Sequence, residues 1–91
     1  MRARDPKGTA ADDRLSGGVL ADSINGQDGN DVLRGGEGND DIRGDDGDDA
    51  LFGDGGNDAL FGESGNDVVE GGAGDDELEG GRGEDVLRGD D

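Results

Sequence analysis

Residues 26–34 read GQDGNDVLR, and residues 35–43 read GGEGNDDIR. The second stretch returns to the pattern of the first after nine residues, with a Gly at positions one and four, an Asp at six and an aliphatic at eight. Self-similarity at a fixed short period is the mark of a stacked-repeat architecture, and it decides how the rest of the chain is read.

The repeat holds its frame to the end. Position one is Gly26, Gly35, Gly44, Gly53, Gly62, Gly71, Gly80 and Gly89; position four is Gly29, Gly38, Gly47, Gly56, Gly65, Gly74 and Gly83. Position six is Asp31, Asp40, Asp49, Asp58, Asp67, Asp76 and Asp85, and position eight is Leu33, Ile42, Leu51, Leu60, Val69, Leu78 and Leu87. An earlier, degenerate unit occupies residues 15–25: Leu15 and Ile24 are its aliphatics, Gly17 and Asp22 keep their places, and Leu20 replaces the position-four Gly. Residues 1–14 carry no repeat and read as a flexible tail, leaving 15–91 as one repeat module.

Each unit divides into a six-residue turn and a three-residue strand. Gly provides the positive φ that tight turns need, and Asn or Asp tolerates it next best, which suits the Asn30, Asn39, Asp48, Asn57, Asn66 and Asp75 of position five. In triplets such as VLR, DIR and ALF the middle residue points one way and its neighbours the other. One aliphatic per strand is buried only if strands stack and face an opposing sheet. The predicted fold is all-β: two turns and two strands per 18-residue coil, giving two parallel sheets of short strands.

Composition bounds the function. The formal charge is −18, from 26 acidic against 8 basic residues, with 22 Gly and neither Cys nor His. Such a chain has no basic surface for nucleic acid, no thiolate or imidazole metal ligands and no apolar run long enough to span a membrane. The opening MRARDPKGTAADDR lacks the apolar stretch of a cleavable signal peptide. Acidic side chains are abundant, but each is one of a repeated set without a distinctive pocket, so no enzyme activity is expected. The competing reading is an acidic, Gly-rich disordered tail that binds cations diffusely.

Stacking with an 18-residue period lines up Asp31, Asp49, Asp67 and Asp85 on one edge and Asp22, Asp40, Asp58 and Asp76 on the other. Carboxylates at a strand spacing of about 4.8 Å repel by roughly 3–4 kcal/mol at an effective dielectric of ~20. A cation between the rungs removes that cost. Oxygen ligands at flexible distances suit Ca²⁺; Mg²⁺ demands tighter octahedral geometry, and Zn²⁺ wants His or Cys. One aliphatic per nine residues returns too little to offset chain entropy without the metal.

These units resemble the RTX (haemolysin-type) calcium-binding nonapeptide, Gly-Gly-x-Gly-x-Asp-x-aliphatic-x, over residues 17–91. The resemblance implies a right-handed parallel β-roll with calcium held between stacked turns by the Asp carboxylates and by main-chain carbonyls of the glycine-rich stretches. It implies about five or six ions, at the pairs 31/49, 49/67, 67/85, 40/58 and 58/76, with 22/40 as a sixth. It also implies a secreted bacterial protein, exported unfolded and folding in external calcium. The final RGDD opens a new turn, so a longer parent is expected.

Position two departs from the pattern. It is Gly at 18, 36, 72 and 81, but Gln27, Asp45, Asp54, Glu63 and Asp90 elsewhere, where a left-handed backbone would be strained. On the strand faces, Arg34, Phe52, Glu70 and Arg88 form one expected ladder and Arg43, Phe61 and Glu79 another, with Arg–Phe stacking and a Glu70–Arg88 pair. Val32, Ala50, Val68 and Val86 form an apolar outer stripe, set against Ser23, Asp41, Ala59 and Glu77 on the other sheet. The stripe's expected partner is another domain of the parent or a second roll packed through the same sheet.

Overall fold

The computed structural model describes residues 14–17 and 23–89. Expectations for Asp22, Leu20, Gly18, Asp90 and residues 1–13 of the N-terminal tail lie outside the described residues, while Arg14, the last residue of that tail, opens the first strand. The elements are three-residue strands: β1 (Arg14–Ser16), β2 (Ser23–Asn25), β3 (Val32–Arg34), β4 (Asp41–Arg43), β5 (Ala50–Phe52), β6 (Ala59–Phe61), β7 (Val68–Glu70), β8 (Glu77–Glu79) and β9 (Val86–Arg88). Among the described residues no helix is long and apolar enough to cross a membrane.

Odd strands make a five-stranded sheet in the order β1-β3-β5-β7-β9, and even strands a four-stranded sheet in the order β2-β4-β6-β8. All neighbours are parallel, and aliphatic meets aliphatic in register: Leu15 with Leu33, Leu33 with Leu51, Leu51 with Val69. The result is a β-solenoid of about 4 turns with 18 residues per coil, as the nine-residue frame predicts. The ladder runs on into the turns, where Gly35 N–H donates to the Phe52 carbonyl and Ala50 N–H to the Asp31 carbonyl, both at 2.8 Å.

Between the sheets lies a single file of aliphatics. Ile24, Leu33, Ile42, Leu51, Leu60 and Val69 are fully buried, and Leu15 and Leu78 pack against them partly covered. The expectation of an unbroken stack from Leu15 to Leu87 needs correcting at its end. Leu87 is 46% exposed. Among the described residues its strand β9 pairs only with β7 and the opposing sheet runs as far as β8, so no described side chain closes over it.

The turns show which glycines are obligatory. At position four φ runs from 93° to 104°, and a Cβ on Gly47 would overlap the carbonyl oxygen of Gly29 one coil back. Both the backbone and the close stacking demand Gly there. Position two also turns left-handed, and its side chains do not prevent it: Gln27, Asp45, Asp54 and Glu63 have φ of 67°, 64°, 65° and 71°. The strain anticipated from sequence is accepted at these four residues, at a cost on the order of 1–2 kcal/mol each.

Position five is a correction of mechanism. Its Asn and Asp residues are not among the positive-φ residues, so tolerance of that backbone does not explain them. Their side-chain oxygens instead accept from the next coil: Asp48 N–H donates to Asn30 Oδ1, Asn57 N–H to Asn39 Oδ1, and Asn66 N–H to Asp48 Oδ1, each at 2.8 Å.

On the outer faces Arg34 lies 4.8 Å from the Phe52 ring centroid and Arg43 5.5 Å from that of Phe61. The ion pairs are Arg34–Asp54 at 4.0 Å and Arg43–Asp41 at 3.9 Å. Glu70 and Arg88 oppose each other in register, but the expected pair between them does not close to ion-pair distance among the described residues.

Candidate metal centre

Each turn carries the chain from the last residue of a strand in one sheet to the first residue of a strand in the other. The Asp of position six ends the turn, immediately before its strand, so the backbone ladder fixes where its side chain starts. Asp31, Asp49, Asp67 and Asp85 consequently stack on one edge of the solenoid, and Asp40, Asp58 and Asp76 on the other. Acidic side chains are rarely buried, yet Asp31, Asp40, Asp49, Asp58 and Asp67 are between 1% and 3% exposed.

One oxygen of each carboxylate is used structurally. The backbone N–H of Asp31 donates to Asp49 Oδ1, that of Asp49 to Asp67 Oδ1, and that of Asp67 to Asp85 Oδ1. On the opposite edge Asp40 N–H donates to Asp58 Oδ1, and Asp58 N–H to Asp76 Oδ1; all five bonds are 2.8 Å. These are the five Asp pairs that the repeat places one coil apart, and each is physically connected.

The other oxygen is different. Oδ2 of Asp49, Asp58, Asp67 and Asp76 is buried and meets no hydrogen-bond donor. Each points into the space left by the position-one Gly five residues earlier. A Cβ placed on Gly53 would lie 2.5 Å from Asp58 Oδ2 and 2.7 Å from the carbonyl oxygen of Gly71. On the other edge, a Cβ on Gly44 would lie 2.5 Å from Asp49 Oδ2 and 3.0 Å from the Gly62 carbonyl oxygen. Two acceptors from neighbouring coils thus face one small space, which is costly unless something positive lies between them.

The electrostatics carry the same sign. Burial pushes the Asp49 carboxyl up to about 7 and those of Asp58 and Asp67 up to about 6. The backbone N–H that each carboxylate accepts acts against this, and the neighbouring Asp charges add to it: Asp67 and Asp31 at Asp49, Asp76 at Asp58, Asp85 at Asp67. Glu63 is also raised, by burial first and then by the side chain of Asp45, its neighbour one coil back. Among the described residues no three acidic side chains converge into a metal-binding cluster. An ion held here would need main-chain oxygens as well as carboxylates, which is the donor set Ca²⁺ takes.

The sequence-derived residues therefore divide by role. Position-six Asp supplies paired carboxylates; position-one Gly26, Gly35, Gly44, Gly53, Gly62, Gly71 and Gly80 are buried and make room for them. Position-four Gly29, Gly38, Gly47, Gly56, Gly65, Gly74 and Gly83 make the left-handed bend. The position-five acceptor ladder was not anticipated. Its signal was available, since every residue there from Asn30 to Glu84 carries a side-chain oxygen.

The family model of the RTX calcium-binding nonapeptide repeat matches the chain four times, at residues 7–42, 25–60, 34–69 and 61–91. The chain belongs to the RTX calcium-binding repeat family. Neither a comparison with curated proteins nor one with solved structures gives a match. The RTX repeat is a structural calcium-binding repeat, and the paired, donor-free oxygens of this solenoid fit a bound calcium ion. Calcium ions are accordingly the partner that the repeat supports.

Proposed function

We propose that this RTX module binds calcium between consecutive coils and folds as it does so, acting as a structural element with no catalytic role. The ions are held by the pairs Asp31/Asp49, Asp49/Asp67 and Asp67/Asp85 on one edge and Asp40/Asp58 and Asp58/Asp76 on the other, together with carbonyl oxygens of the glycine-rich turns. That makes about five ions, with a sixth if Asp22 pairs with Asp40. When bound, calcium supplies the positive charge that the carboxylate ladders lack and ties each coil to the next. The module spans residues 15–91, and we infer an extracellular setting, since RTX repeats are typical of secreted bacterial proteins.

The observation that carries this reading is the row of buried Oδ2 atoms at Asp49, Asp58, Asp67 and Asp76, which meet no donor, those of Asp49 and Asp58 sharing their space with the carbonyl oxygens of Gly62 and Gly71. In the absence of a cation the ladders oppose the fold, and the file of six fully buried aliphatics is a small counterweight. Calcium titration followed by circular dichroism tests it. A coil spectrum in chelator at neutral pH should give way cooperatively to β-structure as calcium is added, with affinities of about 10⁻⁴–10⁻³ M typical of extracellular modules. Mg²⁺ should be much weaker. A β spectrum that persists in chelator at neutral pH, or an equal response to Mg²⁺, overturns the reading.

A further inference from the structure

The two outer faces of the solenoid carry opposite charge. On the five-stranded sheet the outward strand residues include Arg14, Arg34 and Arg88 against Glu70, with Asp54 of the adjoining turn 4.0 Å from Arg34. On the four-stranded sheet they include Asp41, Glu77 and Glu79 against a single base, Arg43. A positive face on a chain of formal charge −18 is a local exception, and it is also where two exposed valines lie, Val68 at 39% and Val86 at 51%.

The chain path also sets how two such faces would meet. The last residue of an even strand and the first residue of the next odd strand flank the same turn and hence the same edge. In a second copy related by simple translation through the thickness of the slab, the Arg43–Phe61–Glu79 column overlies the Val32–Ala50–Val68–Val86 column. Likewise the Arg34–Phe52–Glu70–Arg88 column meets Ser23–Asp41–Ala59–Glu77. Each Phe then lies over a column with Ala at its centre, Phe61 towards Ala50 and Phe52 towards Ala59. Arg34 meets Asp41, and Glu77 lies between Glu70 and Arg88.

We propose that this protein stacks on a second copy of itself through unlike faces, five-stranded on four-stranded. Pairing like faces would set arginines against arginines or acids against acids, which electrostatic complementarity disfavours. The dimensions suit stacking, since the molecule is a slab 13 Å thick with faces of 32 by 26 Å. Such a face is comparable to the ~800 Å² that each partner buries in a standard interface. A head-to-tail contact of this kind does not close, so association continues beyond the dimer as concentration rises. The inference rests on the fold and its face charges, and calcium enters only as the condition under which the fold is tested.

Sedimentation equilibrium of the full chain, in a buffer where circular dichroism shows β-structure, tests the proposal. The weight-average mass should rise past the dimer between about 10 µM and 1 mM, with a step dissociation constant on the order of 10⁻⁴ M. The variants R34E/R88E and D41R/E77R, each checked for the same β spectrum, should be monomeric alone and associate when mixed, because the altered faces complement each other. A wild-type monomer at about 1 mM overturns the proposal without any variant. So does association of D41R/E77R alone, which would mean that the five-stranded face pairs with itself, and so does a mixture that stays monomeric.

Discussion

The backbone N–H of Asp49 donates to Oδ1 of Asp67 one coil further on, at 2.8 Å, while Oδ2 of Asp67 stays buried without a donor. A single carboxylate is thus divided between two tasks. Oδ1 fastens the coil, and Oδ2 is the oxygen that we propose calcium takes.

That division separates two substitutions at one position. Asp49→Asn keeps an oxygen to accept from Asp31 N–H and turns an amide donor towards the carbonyl oxygen of Gly62. It should raise the calcium midpoint on the order of tenfold, about 1.4 kcal/mol. In chelator it should show more β-structure than the parent, since one buried charge is gone. Asp49→Ala loses both oxygens and should bind calcium as poorly without the gain in chelator. Circular dichroism and calorimetric titration of the two variants check this, and identical behaviour would count against the divided carboxylate.

The turn backbone makes a second contrast. Gly47 sits at φ 104° against the Gly29 carbonyl, so Gly47→Ala adds strain and a steric overlap together. A loss of more than ~2 kcal/mol in calcium-saturated stability is expected. Gln27, at φ 67°, already bears a Cβ, and its N–H contact to Asn25 Oδ1 uses only backbone on its own side. Gln27→Ala should stay within ~0.5 kcal/mol. Denaturant midpoints in excess calcium measure both.

How much of this was legible in the sequence follows from what repeats. Leu33, Leu51 and Val69 had to share a column once the period was seen, and the structure pairs them so. The Asp pairs followed from the same arithmetic. Less visible was how a group is used at its position. Asn57 reads from sequence as a turn former, because local preference is all that a single unit displays, whereas its Oδ1 serves the Asp75 N–H of the next coil. Leu87 reads from sequence as core, because pattern does not tell whether a neighbouring strand is there to cover it. The division of each carboxylate between Oδ1 and Oδ2 depends on interatomic geometry that no spacing encodes.

Asn57→Ala strips the acceptor from Asp75 N–H, at a cost of about 1 kcal/mol in calcium-saturated stability. Asn57→Asp keeps the acceptor, as Asp48 does naturally for Asn66 N–H, and should be nearly neutral there. Equal losses for the two would mean that the amide, and not its oxygen, is what the position needs.

The raised carboxylates of Asp49, Asp58 and Asp67 predict that acid substitutes in part for calcium. Each takes up its proton more readily in the folded chain than at the ordinary carboxylate value of 3.8, rising to about 7, 6 and 6. The stability that this contributes to the metal-free roll is therefore complete below that ordinary value and disappears as pH climbs through 6 and 7. In metal-depleted buffer the chain should gain β-structure as pH falls from about 8 to about 4, the reverse of ordinary acid denaturation. Calcium must displace the same protons, so its apparent affinity should fall over the range in which these groups titrate, and binding there should release protons. Circular dichroism against pH without metal, and calorimetry in buffers of different ionisation enthalpy, read the two effects. A metal-free spectrum that stays coil down to pH about 4, with calcium binding indifferent to pH above it, would show that these carboxylates are not buried in the folded chain.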